Sequence, residues 1–426
     1  MTALADCGTA ARRAGTASAE RVRLALLWLL AFSGGFVFIE PSPYEVITLA
    51  AIVMFALGGL SIRTGHLPLL LLLTLYNIGF AIAVVPVIAQ DNTAIWTAVS
   101  CFLALTSLFY ALVLSDNSGR RLELLLKGYT AAAIVVSIIA VLAYFRLMPS
   151  AESFLFAGRS KATFKDPNVF GPFLVLPALI AIQRAISGRP RDILLGGLTL
   201  FLILVGLFLS FSRGAWGHFA VSAVLMLGMM FATTRSNNER VRIILVAAAG
   251  TVAIALFIVA LLSIPQIASL FSERASLVQN YDAGHTGRFG RHVLGFLMIF
   301  DHPIGIGPLQ FAKYFPEDPH NSFLDAFMAG GWLGGFTYAA LVLVTLIAGL
   351  RDVFAAAPWQ KTYIAVYATF LGVVGESYII DTNHWRHYFL LLGVLWGLMV
   401  VRRARTGRAL RDARAVPTLT MVHPLR

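Results

Sequence analysis

Residues 193–234, ILLGGLTLFLILVGLFLSFSRGAWGHFAVSAVLMLGMMFATT, form an almost unbroken apolar run. A helix crosses a bilayer in about 20 apolar residues, so this run is roughly twice as long as one crossing needs. It is interrupted mainly at FLSFSRGAWGHF, around Arg213, and the chain must turn back there and cross again. Arg213 is therefore predicted at or just below a membrane interface. An arginine held inside the membrane costs about 2.5–3.5 kcal/mol on insertion scales, so such residues face a cavity or a partner. The plainer reading is a snorkelling interfacial arginine with no ligand. Ser210, Ser212 and Gly214 around it leave room for close approach by a ligand or a second backbone.

The rest of the chain has the same character. Of 426 residues, 58% are hydrophobic and 13% charged, against about 45–50% and 25% in soluble domains. With a mean hydropathy of +0.79, this composition excludes an ordinary soluble enzyme and a disordered chain. It predicts an all-α polytopic membrane protein. The length ruler gives twelve spans, at about residues 24–39, 46–62, 67–89, 94–114, 128–148, 168–186, 192–212, 215–233, 241–264, 322–349, 361–380 and 385–401. The predicted organisation is a basic N-terminal segment (1–23), spans one to nine (24–264), a long outer loop (265–321), spans ten to twelve (322–401) and a basic tail (402–426). With the N-terminus inside, 23 of the 33 Lys and Arg fall on the inner side and 10 on the outer, as the positive-inside rule requires. The net charge of +12 is thus ascribed to membrane orientation rather than to nucleic-acid binding. Cys7 and Cys101 cannot build a disulfide framework and lack the spacing of a zinc site.

The ten outer cations run against the bias and point to an anionic ligand, most simply a phosphate or diphosphate. They are Arg146, Arg159, Lys161, Lys165, Arg213, Arg274, Arg288, Arg291, Lys313 and Arg386. Within the long loop, GRFGRHVLGFLMIFDHPIGIGP (287–308) has helical periodicity. Phe289, Val293, Phe296, Leu297 and Phe300 form an apolar stripe, and Arg288, Arg291 and His292 share the opposite face. This predicts an amphipathic helix lying on the membrane and presenting two guanidiniums, with lipid headgroups as their alternative partners. DHPIGIGP then reads as a tight turn back to the membrane. In EDPHNSFLDAFMAGGWLGGF (317–336), Asn321 or Ser322 is a predicted N-cap, which puts His320 at a helix start on the outer face. A neutral imidazole there can act as a general base, and Asp318 is positioned in sequence to orient it; the bland alternative is a hydrogen-bonding cap. The small residues at 329–335 suit close helix packing. GRSKATFKDPNVFGPF (158–173) puts Arg159, Lys161, Lys165 and Asn168 on the outer face. GESYIIDTNHWRHYF (375–389) gathers Glu376, Asp381, His384, Arg386 and His387 at the last outer turn. Arg159, Lys161, Lys165, Asn321 and Arg386 are candidate substrate-binding residues, although either patch also reads as an internally paired polar lid, the second especially.

These segments, in this order, resemble the O-antigen ligase and O-antigen polymerase superfamily of bacterial envelope glycosyltransferases. The resemblance rests on FSRGAW, GR…HPIGIGP and PHNSFLDAFMAGGWLGG, together with FKDPNVFGPF and DTNHWRHYF, and covers about residues 155–400. It implies about twelve helices with a large periplasmic loop, carrying amphipathic helices, between the ninth and tenth. It also implies transfer of a glycan from an undecaprenyl-diphosphate carrier to an acceptor on lipid A–core or on another lipid-linked glycan, with no metal or cofactor, at the periplasmic face of the inner membrane. The family's essential histidine corresponds to His320 and its essential arginines to Arg213, Arg288 and Arg291. Gly331 stands where many relatives carry an acidic residue, so no acidic role passes to it. The chemistry agrees. Arginines stabilise a departing diphosphate by charge-assisted hydrogen bonds, and no carboxylate pair with retaining-enzyme spacing is evident, which predicts inversion by single displacement. The alternative outside enzymology is a transporter or flippase for a polysaccharide precursor or another anion. Transporters place ionisable sites at mid-membrane in paired repeats, whereas the polar groups here gather at one face.

Overall fold

The computed structural model describes residues 2–90, 92–188, 190–275, 284 and 287–415, and among these the side chains from residue 18 to residue 406 other than those of 190 and 275. The chain is helical nearly throughout: α1 (Thr2–Ser33), α2 (Pro43–Ala56), α3 (Leu67–Ala83), α4 (Thr93–Leu114), α5 (Ser118–Tyr144), α6 (Pro167–Phe173), α7 (Val175–Ser187), α8 (Pro190–Leu209), α9 (Arg213–Thr233), α10 (Asn237–Leu262), α11 (Pro265–Ala275), α12 (Arg288–Asp301), α13 (Ser322–Val353), α14 (Gln360–Glu376) and α15 (Arg386–Ala415). A two-residue hairpin, β1 (Leu155–Phe156) with β2 (Arg159–Ser160), is the sheet among the described residues.

Nine helices among the described residues are long and apolar enough to span a bilayer. The segments read as the first, second and eleventh spans form α1, α2 and α14, of which α2 and α14 are shorter than the ruler used to find them. The chain is thus an all-α polytopic membrane protein. Two predicted spans are broken. Residues 168–186 divide at Leu174 into α6 and α7. The helix predicted over 322–349 is interrupted at Gly331, whose φ of 63° and ψ of −165° are not helical.

Lipid offers no hydrophobic drive between helices, so they meet where small residues let backbones close up. Gly79 of α3 lies against the backbone of Gly330 and Gly334 in α13, Gly393 and Gly397 of α15 against Ser107 and Ala111 of α4, and Gly128 of α5 against Trp28 of α1. The small-residue stretch at 329–335 packs helices as predicted. Centre and periphery differ sharply: 83% of the α15 span is buried inside the protein but only 6% of the α10 span, which puts α10 on the outer, lipid-facing rim.

The ends of the bundle separate by chemistry. One end collects Glu20 with Arg121 and Asp352 with Arg402, beside the 57–66 connection. The other collects the start of α2, the hairpin, the start of α9, α12, and the turns before α13 and α15. The candidate residues belong to this second end.

Candidate active site

Helix α12 is two-sided as its period requires. Phe289, Val293, Phe296, Leu297 and Phe300 are each 56–63% exposed, while Arg291 on the opposite face is 2% exposed. The polar face docks on the segment leading into α13. Arg291 donates from Nη2 to Glu317 Oε2 at 2.8 Å, and His292 Nε2 donates to the Pro319 carbonyl at 2.7 Å. The Arg291 hydrogen bond holds the Glu317 carboxyl below its usual range against a smaller opposing effect of burial, and the charges of His320 and Arg288 add to it. Burial pushes the His292 imidazole down. Arg288 and Arg291 thus share one neighbourhood with His320.

His320 itself holds a left-handed backbone, φ +48°, a conformation that non-glycine residues keep only where the surroundings enforce it. The enforcing contacts come from far along the chain. Asn321 caps α13, its side chain accepting from Phe323 N and Leu324 N at 3.1 Å. Its own N–H donates to Asp381 Oδ1 at 2.8 Å. The other oxygen of Asp381 lies 3.5 Å from His320 Nδ1. Ser322 N–H donates to the Ser377 carbonyl, and the Ser322, Ser377 and Thr382 hydroxyls interlock beneath. The carboxylate against the histidine ring is therefore Asp381, not Asp318, which corrects the expectation from sequence. Proximity along the chain favoured Asp318, but the 376–385 turn is packed directly against the start of α13.

Arg213 is the first residue of α9, whose N-cap Ser212 accepts from Ala215 N. The 210–212 turn before it is held by Arg159, which is buried and donates from Nε to the Ser210 carbonyl (2.9 Å) and from Nη2 to Asn168 Oδ1 (2.7 Å). Arg159, a candidate ligand by sequence, supports the turn that precedes Arg213. Below Arg213, Gly214 lies against the Glu376 carboxylate, and Glu376 forms a fully buried pair with His218 at 2.9 Å. The His218 ring also donates from Nε2 to the Thr369 carbonyl at 3.0 Å. The sequence reading passed over His218, although an ionisable residue inside an apolar helix was the available signal. Because Glu376 adjoins Ser377, and Ser377 bonds Ser322, the end of α14 links the starts of α9 and α13.

Lys165 and Arg386 stand apart from this centre. Lys165 pairs with Glu40 at 2.8 Å, and Arg386 reaches Glu45 at 2.6 Å and Glu40 at 3.5 Å. Burial pushes the Glu40 carboxyl up, but these two cations outweigh it and hold it below its usual value. Glu45 also completes the capping box of α2 with Ser42. Both cations therefore belong to the internally paired lid. Lys161, half-buried after the hairpin, is on the same side. Among the described residues no group of His, Cys, Asp and Glu is arranged to hold a metal ion.

Residues 198–339 match the family described as O-antigen ligase, and no curated protein matches the chain. The matched stretch is one third of the chain and runs from within α8 to within α13. The matched stretch contains Arg213, Arg288, Arg291, His292 and His320 but ends before Asp381, which joins the site through the fold.

Proposed function

We propose that this protein transfers a glycan from an undecaprenyl-diphosphate-linked donor to a hydroxyl of an acceptor sugar, on lipid A–core or on a second lipid-linked glycan, at the periplasmic face of the bacterial inner membrane. The observation that carries the reading is the docking of the cationic face of α12 onto the segment whose His320 ring rests on Asp381. One side of the site is suited to a pyrophosphate and the other to a proton.

In the proposed step the acceptor oxygen attacks the anomeric carbon of the donor while its proton passes to His320. The bond between that carbon and the diphosphate oxygen breaks, and its electron pair leaves with the carrier diphosphate. Attack opposite the leaving group inverts the anomeric centre. Asp381 beside Nδ1 favours the tautomer with the proton on that nitrogen and leaves Nε2 as the acceptor, the logic of a base oriented by a third group. Arg213 and Arg288 neutralise the charge that develops on the diphosphate. Arg291, buried and bonded to Glu317, positions α12 rather than contacting the donor.

The test uses purified protein in detergent, the carrier-linked glycan as donor, and either lipid A–core or a second carrier-linked glycan as acceptor. His320→Ala is expected to lose the contribution of general-base assistance, about 10²–10⁴-fold, with donor binding retained. Asp381→Asn is expected to lower kcat in the same direction. NMR of the product should show an inverted anomeric centre. Full transfer by His320→Ala, or a retained anomeric configuration, overturns the mechanism. The acceptor consumed distinguishes ligase from polymerase.

A further inference from the structure

Beside Asp381, whose carboxyl lies against the His320 ring, the protein forms a pocket of about 100 Å³. Its polar lining comes from Asp318, Asp325, Asp381, Asn383 and His384, and Trp96 of α4 supplies a flat apolar wall. The indole stacks on the His384 ring at 3.9 Å between centroids and 22° between planes. Asn383 is buried and fixed, donating from Nδ2 to Asp325 Oδ2 at 2.7 Å and to the Tyr76 hydroxyl at 3.3 Å. His384 Nε2 is shielded from solvent and has no hydrogen-bond partner among the described residues. Burial pushes this imidazole down to about 3, so it is neutral and can offer one donor and one acceptor.

The charged groups near His320 thus differ in sign. Arg288, Arg291 and His292 belong to the face of α12 that docks on the 317–319 segment, whereas three carboxyl groups, those of Asp318, Asp325 and Asp381, line the pocket. A diphosphate is repelled from such a pocket by charge. A neutral polyol suits it, since hydroxyl groups donate to carboxylates in charge-assisted bonds while the apolar ring face of a sugar packs against an indole.

Resting on the transfer reading above, we infer that this pocket is the acceptor-sugar subsite: it seats an uncharged sugar of the acceptor next to the His320–Asp381 pair. Specificity for the acceptor then resides in Trp96, Asp325, Asn383 and His384, and recognition of the donor resides on the arginine side. The division explains how one small site keeps two glycolipid substrates apart.

The experiment measures initial rates of the full-length protein in detergent. The acceptor, lipid A–core or the carrier-linked glycan, is varied at saturating donor, and the donor is then varied at saturating acceptor. Asp325→Asn and Trp96→Phe are expected to raise the acceptor KM tenfold or more and to leave the donor KM within twofold. Leu309→Trp, which fills the pocket from a lining position, should do the same without touching a polar group and guards against misfolding of either other variant. Unchanged acceptor KM in folded variants overturns the assignment, and so does a rise confined to donor KM. Absence of transfer by the wild-type protein with both acceptors would instead refute the function on which the inference rests.

Discussion

Replacing Gly331 with alanine is expected to spring the joint that aligns the site. Gly331 breaks α13 with φ 63° and ψ −165°, a region essentially restricted to glycine. Holding another residue there costs about 1–3 kcal/mol. A Cβ would also sit 2.5 Å from Ile304 C, 2.6 Å from Ile304 O and 2.6 Å from Pro303 O. All three are backbone atoms, so no side chain can rotate away, and overpacking of this kind adds about 1–3 kcal/mol. The sum, about 2–6 kcal/mol, is a large share of a typical native stability of about 5–15 kcal/mol. Relief requires the 302–307 turn to withdraw, which breaks the bonds from Ile306 N to Met328 O and from Trp332 N to Pro303 O, both 2.8 Å. It also shifts Gly307 and Leu309 in the pocket wall. The assay is thermal unfolding in detergent followed by size-exclusion chromatography, with transfer measured on the folded fraction. Gly375→Ala, where a Cβ would meet nothing within 4 Å, is the matched control and should be neutral or slightly stabilising. A Gly331→Ala protein that melts with the wild type and transfers glycan at full rate would refute the reasoning.

Arg386→Gln should lower thermal stability by releasing Glu40 and Glu45 while leaving the donor KM unchanged; a selective rise in donor KM would return Arg386 to the ligand set. Burial and the nearby Asp381 raise the Asp318 carboxyl above its ordinary value, so the stability it contributes is present below about pH 4 and lost as pH rises through the higher folded value. Asp318→Asn should accordingly melt with the wild type in acid and above it at neutral pH, and a melting difference that does not change with pH would exclude this. Introducing aspartate at both Phe296 and Phe300 should lift α12 from the membrane and abolish transfer. A bimane label on Val293→Cys, quenched by brominated lipid in the parent and not in the double variant, reports the detachment.

Much of the architecture is legible in the chain because the signals are local. Apolar run length locates the long helices, the return at Arg213 follows from a run too long for one span, and the period of 288–301 separates an exposed apolar face from a cationic face. The Asn321 cap is read from the polar residues that precede an apolar helix. His320, Arg288 and Arg213 are visible as polar groups in costly places. What they touch is not visible. Asp381 lies 60 residues from Asn321, whose N–H it accepts, and His218 meets Glu376 from another helix. Glu40 and Glu45 pair with Lys165 and Arg386 across the bundle. Gly331 carries nothing in its own sequence to mark it as the break rather than its glycine neighbours. Hydropathy and periodicity depend on neighbours along the chain, which decide where helices run and which face is apolar. Ion pairs, the break and the pocket depend on which helices cross and at what height, and only packing in three dimensions sets that.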